Sequence, residues 1–125
     1  FSDFIASHKV KYEAYRKQWV RSELEAFDQN LPSNRLNSTI KKITKRPDRY
    51  PCFAVGSKIY IFLFFKTARD GTVPHDMLTD LKHLISAVHM DIFVSGDHKL
   101  IKHAKDICPE KTICSTEEYF QGFMV

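Results

Sequence analysis

The stretch Pro51-Cys52-Phe53-Ala54-Val55-Gly56-Ser57-Lys58-Ile59-Tyr60-Ile61-Phe62-Leu63-Phe64-Phe65 decides how the fold is read. Ile59 to Phe65 is an apolar run of seven residues without polar alternation. That is the pattern of a central strand covered on both faces. Gly56-Ser57 is a turn signal, so Cys52–Val55 and Lys58–Phe65 are expected to form a hairpin. A run this short falls well below the ~20 apolar residues that cross a bilayer, so no membrane span is expected.

Downstream, Arg69-Asp70-Gly71 reads as a turn, and Pro74 suits the first turn of a helix. Over 74–89, Met77, Leu81, Leu84, Ile85 and Val88 make one apolar stripe. At about 100° per residue, Asp76, Asp80, His83 and Ala87 share one flank of it. Asp91-Ile92-Phe93-Val94-Ser95 is a short strand-like run closed by Gly96-Asp97. A helix is expected from His98 to Ile107, stopped by Pro109, then a strand over Thr112-Ile113-Cys114. Ser115 and Glu118 have the spacing of a capping box that opens a last helical turn. Such strand–helix alternation predicts an α/β fold, with 59–65, 91–95 and 112–114 in one mostly parallel sheet. Ligands of open α/β sheets bind beyond the carboxyl ends of the strands, where Asp97 falls.

Upstream, Tyr12, Tyr15, Trp19, Val20, Leu24 and Phe27 recur at threes and fours, predicting a helix over 4–29 that stops at Asn30 and Pro32. Their helical spacing assigns these aromatics to packing ahead of base stacking. Residues 31–50 are polar and basic, with Leu36, Ile40 and Ile43 allowing a short helix. The 125 residues fit one domain, 1–125, and the balance of 43% hydrophobic to 27% charged residues excludes collagen-like, mucin-like and wholly disordered chains. The three cysteines, Cys52, Cys108 and Cys114, are odd in number and lack CxxC spacing. That argues against a disulfide framework or zinc ribbon and leads us to expect a reducing cytoplasm. No basic-then-apolar leader opens the sequence, so no signal peptide is expected.

Charge is uneven. Residues 1–50 hold 11 Lys+Arg against 6 Asp+Glu, and residues 51–125 hold 8 against 9. The basic density peaks at Lys41, Lys42, Lys45, Arg46 and Arg49, a run that could hold RNA phosphates by counterion release or be a solvated loop. Asp80, on a helix flank, and Asp97, after the next strand, can converge at one sheet edge. Converging carboxylates suit a hard cation, Mg²⁺ or Mn²⁺, which can activate water and neutralise a phosphodiester oxygen. The competing roles are a helix N-cap for Asp97 and a solvated residue for Asp80. A zinc flank of Asp76, Asp80 and His83 lacks any HExxH or Cys/His pairing. No Ser–His–Asp signature, GxGxxG or P-loop is present.

Asp80 to Asp97 resembles the PIN-domain pattern: an Asp on a helix, a small residue at mid-helix, then Asp-hydrophobic-hydrophobic-Val-Thr/Ser-x-Asp, here Asp91-Ile92-Phe93-Val94-Ser95-Gly96-Asp97. His98-Lys99-Leu100-Ile101 and Thr112-Ile113-Cys114-Ser115-Thr116-Glu117-Glu118-Tyr119-Phe120 continue the likeness over about residues 74–122. The resemblance implies a three-layer α/β/α fold with a mostly parallel sheet. It also implies a metal-dependent ribonuclease using Mg²⁺ or Mn²⁺, often the toxin of a toxin–antitoxin pair. Its partners would then be RNA and an antitoxin protein, with no membrane, and a homodimer is left open. Asp80 and Asp97 match the later two acids of the family. Its first acid, at the end of an opening strand, has only Asp3 as a counterpart, with no strand before it. Its early helical Glu has Glu23 or Glu25. Asp91 reads as a strand-boundary residue. Two other classes compete: an inactive nucleic-acid-binding or regulatory module, and an unrelated α/β protein in which 91–97 is only a strand and a cap.

Overall fold

The computed structural model describes residues 1–123, without the side chain of Phe123. The elements run α1 (Ser2–Ser7), α2 (Lys9–Phe27), α3 (Ser33–Lys45), α4 (Pro51–Asp70), α5 (Met77–Ser86), β1 (Ile92–Ser95), α6 (His98–Ile107), β2 (Thr112–Ser115) and α7 (Thr116–Phe123). Helices dominate, and the sheet of the described residues has only the two strands β1 and β2. The expected three-layer α/β/α, PIN-like fold is therefore corrected to a mainly helical one.

The correction centres on Ile59–Phe65, which is not a strand but the middle of α4. α4 packs against α2 on one side and against α5 and α6 on another. Ile59 and Phe62 are fully enclosed in the main core with Leu81, Leu84, Ala104 and Ile107. Tyr60 and Phe64 turn toward α2, with ring centroids 5.8 Å from Trp19 and 5.7 Å from Tyr15. A helix with apolar neighbours on several sides carries the same unbroken apolar run as a central strand, so periodicity does not separate them. Gly56 is no turn. It is buried inside α4, where a β-carbon would run into the Trp19 ring. Pro51 at the helix start and Gly71 at its end, with φ of 84°, mark the true limits. α4 also has the length and composition of a membrane span, although here it packs among the other helices.

The helix expected over 4–29 is broken at His8 into α1 and α2. The break lets Phe1 fold back onto Phe62, with centroids 5.1 Å apart, while α2 lies along α3 and α4. Leu36, Ile40 and Ile43, at i, i+4 and i+7, make α3 amphipathic and bury it against Val20 in a second core cluster. β1 and β2 pair in parallel, with Ile92 opposite Thr112 and Ser95 opposite Ser115, and α6 is the crossover between them. The capping box forms as its spacing predicts: Ser115 N–H donates to Glu118 Oε1 and Glu118 N–H to Ser115 Oγ, both at 3.1 Å. The three cysteines are free thiols.

Candidate functional site

Asp97 lies two residues beyond β1 and caps α6. Its Oδ1 accepts the backbone N–H groups of Lys99 at 3.0 Å and Leu100 at 3.2 Å. The turn is set by Ser95, whose Oγ accepts the Asp97 N–H. Asp97 Oδ2 takes no hydrogen bond from the described residues. Asp76, at the N-cap of α5, and Asp80, in its first turn, stand one turn apart on that helix. Packing of α5 on α6 brings Asp76, Asp80 and Asp97 to one cavity of about 230 Å³. Leu81 and Leu100 form its apolar floor, and Lys99 and His103 of α6 complete it. The cleft thus has a carboxylate wall from α5, a cationic and imidazole wall from α6, and Asp97 at the corner.

His103 is the most constrained group there. Its Nδ1 is enclosed and has no hydrogen-bond partner among the described residues, and its ring centroid is 5.3 Å from that of Phe62. Burial pushes its pKa below the ordinary imidazole value. Lys66 pushes the same way, while Asp106 and Asp97 oppose the shift. Lys66 is itself buried, with Nζ 5.6 Å from the Phe62 ring centroid.

The chemistry of the donor set decides how a cation would fit. Among the described residues, no three His, Cys, Asp or Glu side chains are gathered closely enough to ligate one ion. Mg²⁺ seldom needs such a cage. It commonly keeps several waters and binds through one or two carboxylates plus substrate phosphates. Only in that hydrated mode could Asp80 and Asp97, with Asp76 lining the same cavity, hold such an ion.

Other expected site residues lie elsewhere. Asp3 is exposed in the first turn of α1 and does not line the cleft. Glu23 and Glu25 are exposed on α2, with Glu25 4.0 Å from Arg21. Lys41, Lys42 and Lys45 project from the exposed side of α3, but Arg46 is held by Asp48 through two hydrogen bonds, at 3.2 and 3.1 Å. That bond also holds the Asp48 carboxyl below its ordinary pKa. Arg49 is exposed in the loop before α4. Sequence reasoning passed over Lys99 and His103. Their i, i+4 spacing on one helix face was the available signal, but it gains meaning only once α5 is known to lie opposite.

No protein-family model, curated protein or solved structure matches the chain.

Proposed function

We propose that this protein is a metal-dependent ribonuclease whose reacting centre is the cleft between α5 and α6. The observation that carries the reading is the union of Asp76, Asp80 and Asp97 with Lys99 and His103 in one cavity. The carboxylates of Asp80 and Asp97 would hold Mg²⁺ or Mn²⁺, and Asp76 would add negative charge to the same wall. Such an ion, when bound, would supply an activated water and neutralise charge on the phosphodiester. Lys99 attracts the phosphate and orients it across from the carboxylates. The α6 cap fixes Asp97 by two backbone bonds on Oδ1, and its Oδ2 takes no hydrogen bond from the described residues. RNA is the substrate class because the basic helix α3 offers a polyanion the charge that the acidic cleft lacks.

The test is cleavage of a labelled RNA with Mg²⁺ or Mn²⁺. Activity is expected to vanish in chelator and to fall at least about 100-fold in Asp80→Asn, as for loss of a preorganised charge at a reacting centre. Equal cleavage by Asp80→Asn and the unaltered chain would overturn the assignment. A second reading, an RNA-binding or regulatory module without chemistry, is favoured by one observation. Asp3, the counterpart of the family's first acid, lies outside the cleft. RNA binding without metal-dependent cleavage by the unaltered chain would select it.

A further inference from the structure

α2 and α3 lie side by side, with Val20, Leu36, Ile40 and Ile43 sealed between them. Above that seam two adjoining cavities open, of about 430 and about 370 Å³. Lys17 and Lys41 line both, so the two are one continuous groove. Arg21 stands one turn beyond Lys17 on α2, while Lys42 and Lys45 extend the α3 side. Lys17, Lys41, Lys42 and Lys45 are exposed and make no ion pair among the described residues. Arg21 is partly engaged: it donates to Asn37 Oδ1 at 2.7 Å and stands 4.0 Å from Glu25, with five N–H donors to share among its contacts. Arg16 is different: it bonds Glu13 and the Thr44 carbonyl, its side chain is 12% exposed, and it clamps α2 to α3.

We infer that this α2–α3 groove is the docking site for the phosphate backbone of RNA, held from both sides by Lys17 and Arg21 of α2 and by Lys41, Lys42 and Lys45 of α3. The inference rests on the proposal that RNA is the substrate, and it adds α2 as the second wall. Two features select a nucleic-acid backbone over an acidic protein. The groove has no exposed apolar anchor, since Ile40 lies buried at its floor, and stable protein interfaces concentrate their energy in such anchors. Its remaining polar lining is the amides of Gln18 and Asn37, which suit phosphate oxygens, the Thr44 hydroxyl, which donates to the Ile40 carbonyl, and one carboxylate, Glu13, which is paired with Arg16. Its lining also contains no aromatic ring on which a base could stack. The groove therefore reads charge and not sequence.

The experiment measures binding of fluorescent 12-nucleotide U and A oligoribonucleotides in chelator, where cleavage plays no part, over a range of salt. Lys17→Ala with Lys41→Ala should flatten the log–log salt slope by about 0.7 for each lost phosphate contact. It should also weaken the U and A oligomers by the same factor. Both side chains are exposed, so folding should survive, and circular dichroism checks it. Lys82→Ala, on α5 outside the groove, should leave the slope unchanged. An unaltered slope in the double variant overturns the inference, as does a loss confined to one of the two sequences. Poly-glutamate competing as well as RNA also overturns it and assigns the groove to an acidic protein. Failure of the ribonuclease proposal appears separately, as absent cleavage by the unaltered chain when metal is added, and leaves this binding result standing.

Discussion

At the scale of single residues, Asp97 caps α6, and substitutions can separate that role from the proposed one of holding a cation. As the cap of α6 it satisfies two backbone donors. Asn caps nearly as well as Asp, whereas Ala does not, so Asp97→Ala should cost about 1 kcal/mol and Asp97→Asn only a few tenths. Urea denaturation measures both. If Asp97 also holds the cation, Asp97→Asn should lose Mg²⁺ or Mn²⁺ binding while keeping that stability. His103 makes a pH prediction. Its folded pKa lies below the ordinary 6.5 because of burial first and the buried Lys66 second. The groups around it are Lys66 on α4, Lys102 and Asp106 on its own helix, and Asp97 at that helix's cap. With the folded pKa depressed, the unfolded chain binds more protons near and below pH 6.5. His103 therefore costs nothing well above that pH and destabilises the fold progressively as pH falls through it. The urea midpoint of the unaltered protein should drop between about pH 7 and about pH 5.5, a range that brackets the free imidazole pKa. His103→Leu should lessen that drop. An identical decline in the variant would assign the pH dependence to other groups.

At the scale of elements, α4 was the segment hardest to read. The run 59–65 had the composition of a buried strand, and Gly56-Ser57 looked like the turn before it. Length is the feature that distinguishes a buried helix from a buried strand, and the apparent turn cut the segment short. The helix has a direct test in Phe62 and Phe64. Two residues apart, they would share one face of a strand but lie about 200° apart on a helix. Phe62 is fully enclosed and Phe64 is 63% exposed. Phe62→Ala should cost about 3–5 kcal/mol. Phe64→Ala should cost under about 1 kcal/mol, since it loses only a partly exposed contact with Tyr15. Chemical denaturation of both variants checks this, and equal losses would contradict the helical placement. The second half of the chain was more legible. β1, α6, β2 and the α7 cap each carried local signals, in β-branched residues, an Asp cap, a proline stop and the Ser115–Glu118 box, that act within a few residues and need no tertiary context.

At the scale of the whole molecule, ligand binding should register as stability. If an ion is held between α5 and α6 as proposed, it binds the folded chain and not the unfolded one. Saturation at a hundred times its dissociation constant then adds about 2.7 kcal/mol. Thermal unfolding with and without Mg²⁺ or Mn²⁺ should show this gain in the unaltered protein and not in Asp80→Asn. A gain of the same size in the variant would place the ion elsewhere. The sequence by itself determined the amphipathic faces of α3, α5 and α6, the strand–cap–helix unit from Ile92 to Ile107, the basic density at 41–49 and the places of Asp80 on a helix flank and Asp97 after a strand. These are local properties, set by side-chain period, capping chemistry and charge. Only the tertiary structure decided that 59–65 is helical, that β1 and β2 have no third strand beside them among the described residues, and that Asp76 and Asp80 of α5 share one cleft with Asp97, Lys99 and His103 at α6. Each of these depends on what lies opposite. A run that is apolar on every side shows that it is surrounded but not by what, and a carboxylate on one helix shows nothing of the lysine on the next until packing brings the two helices together.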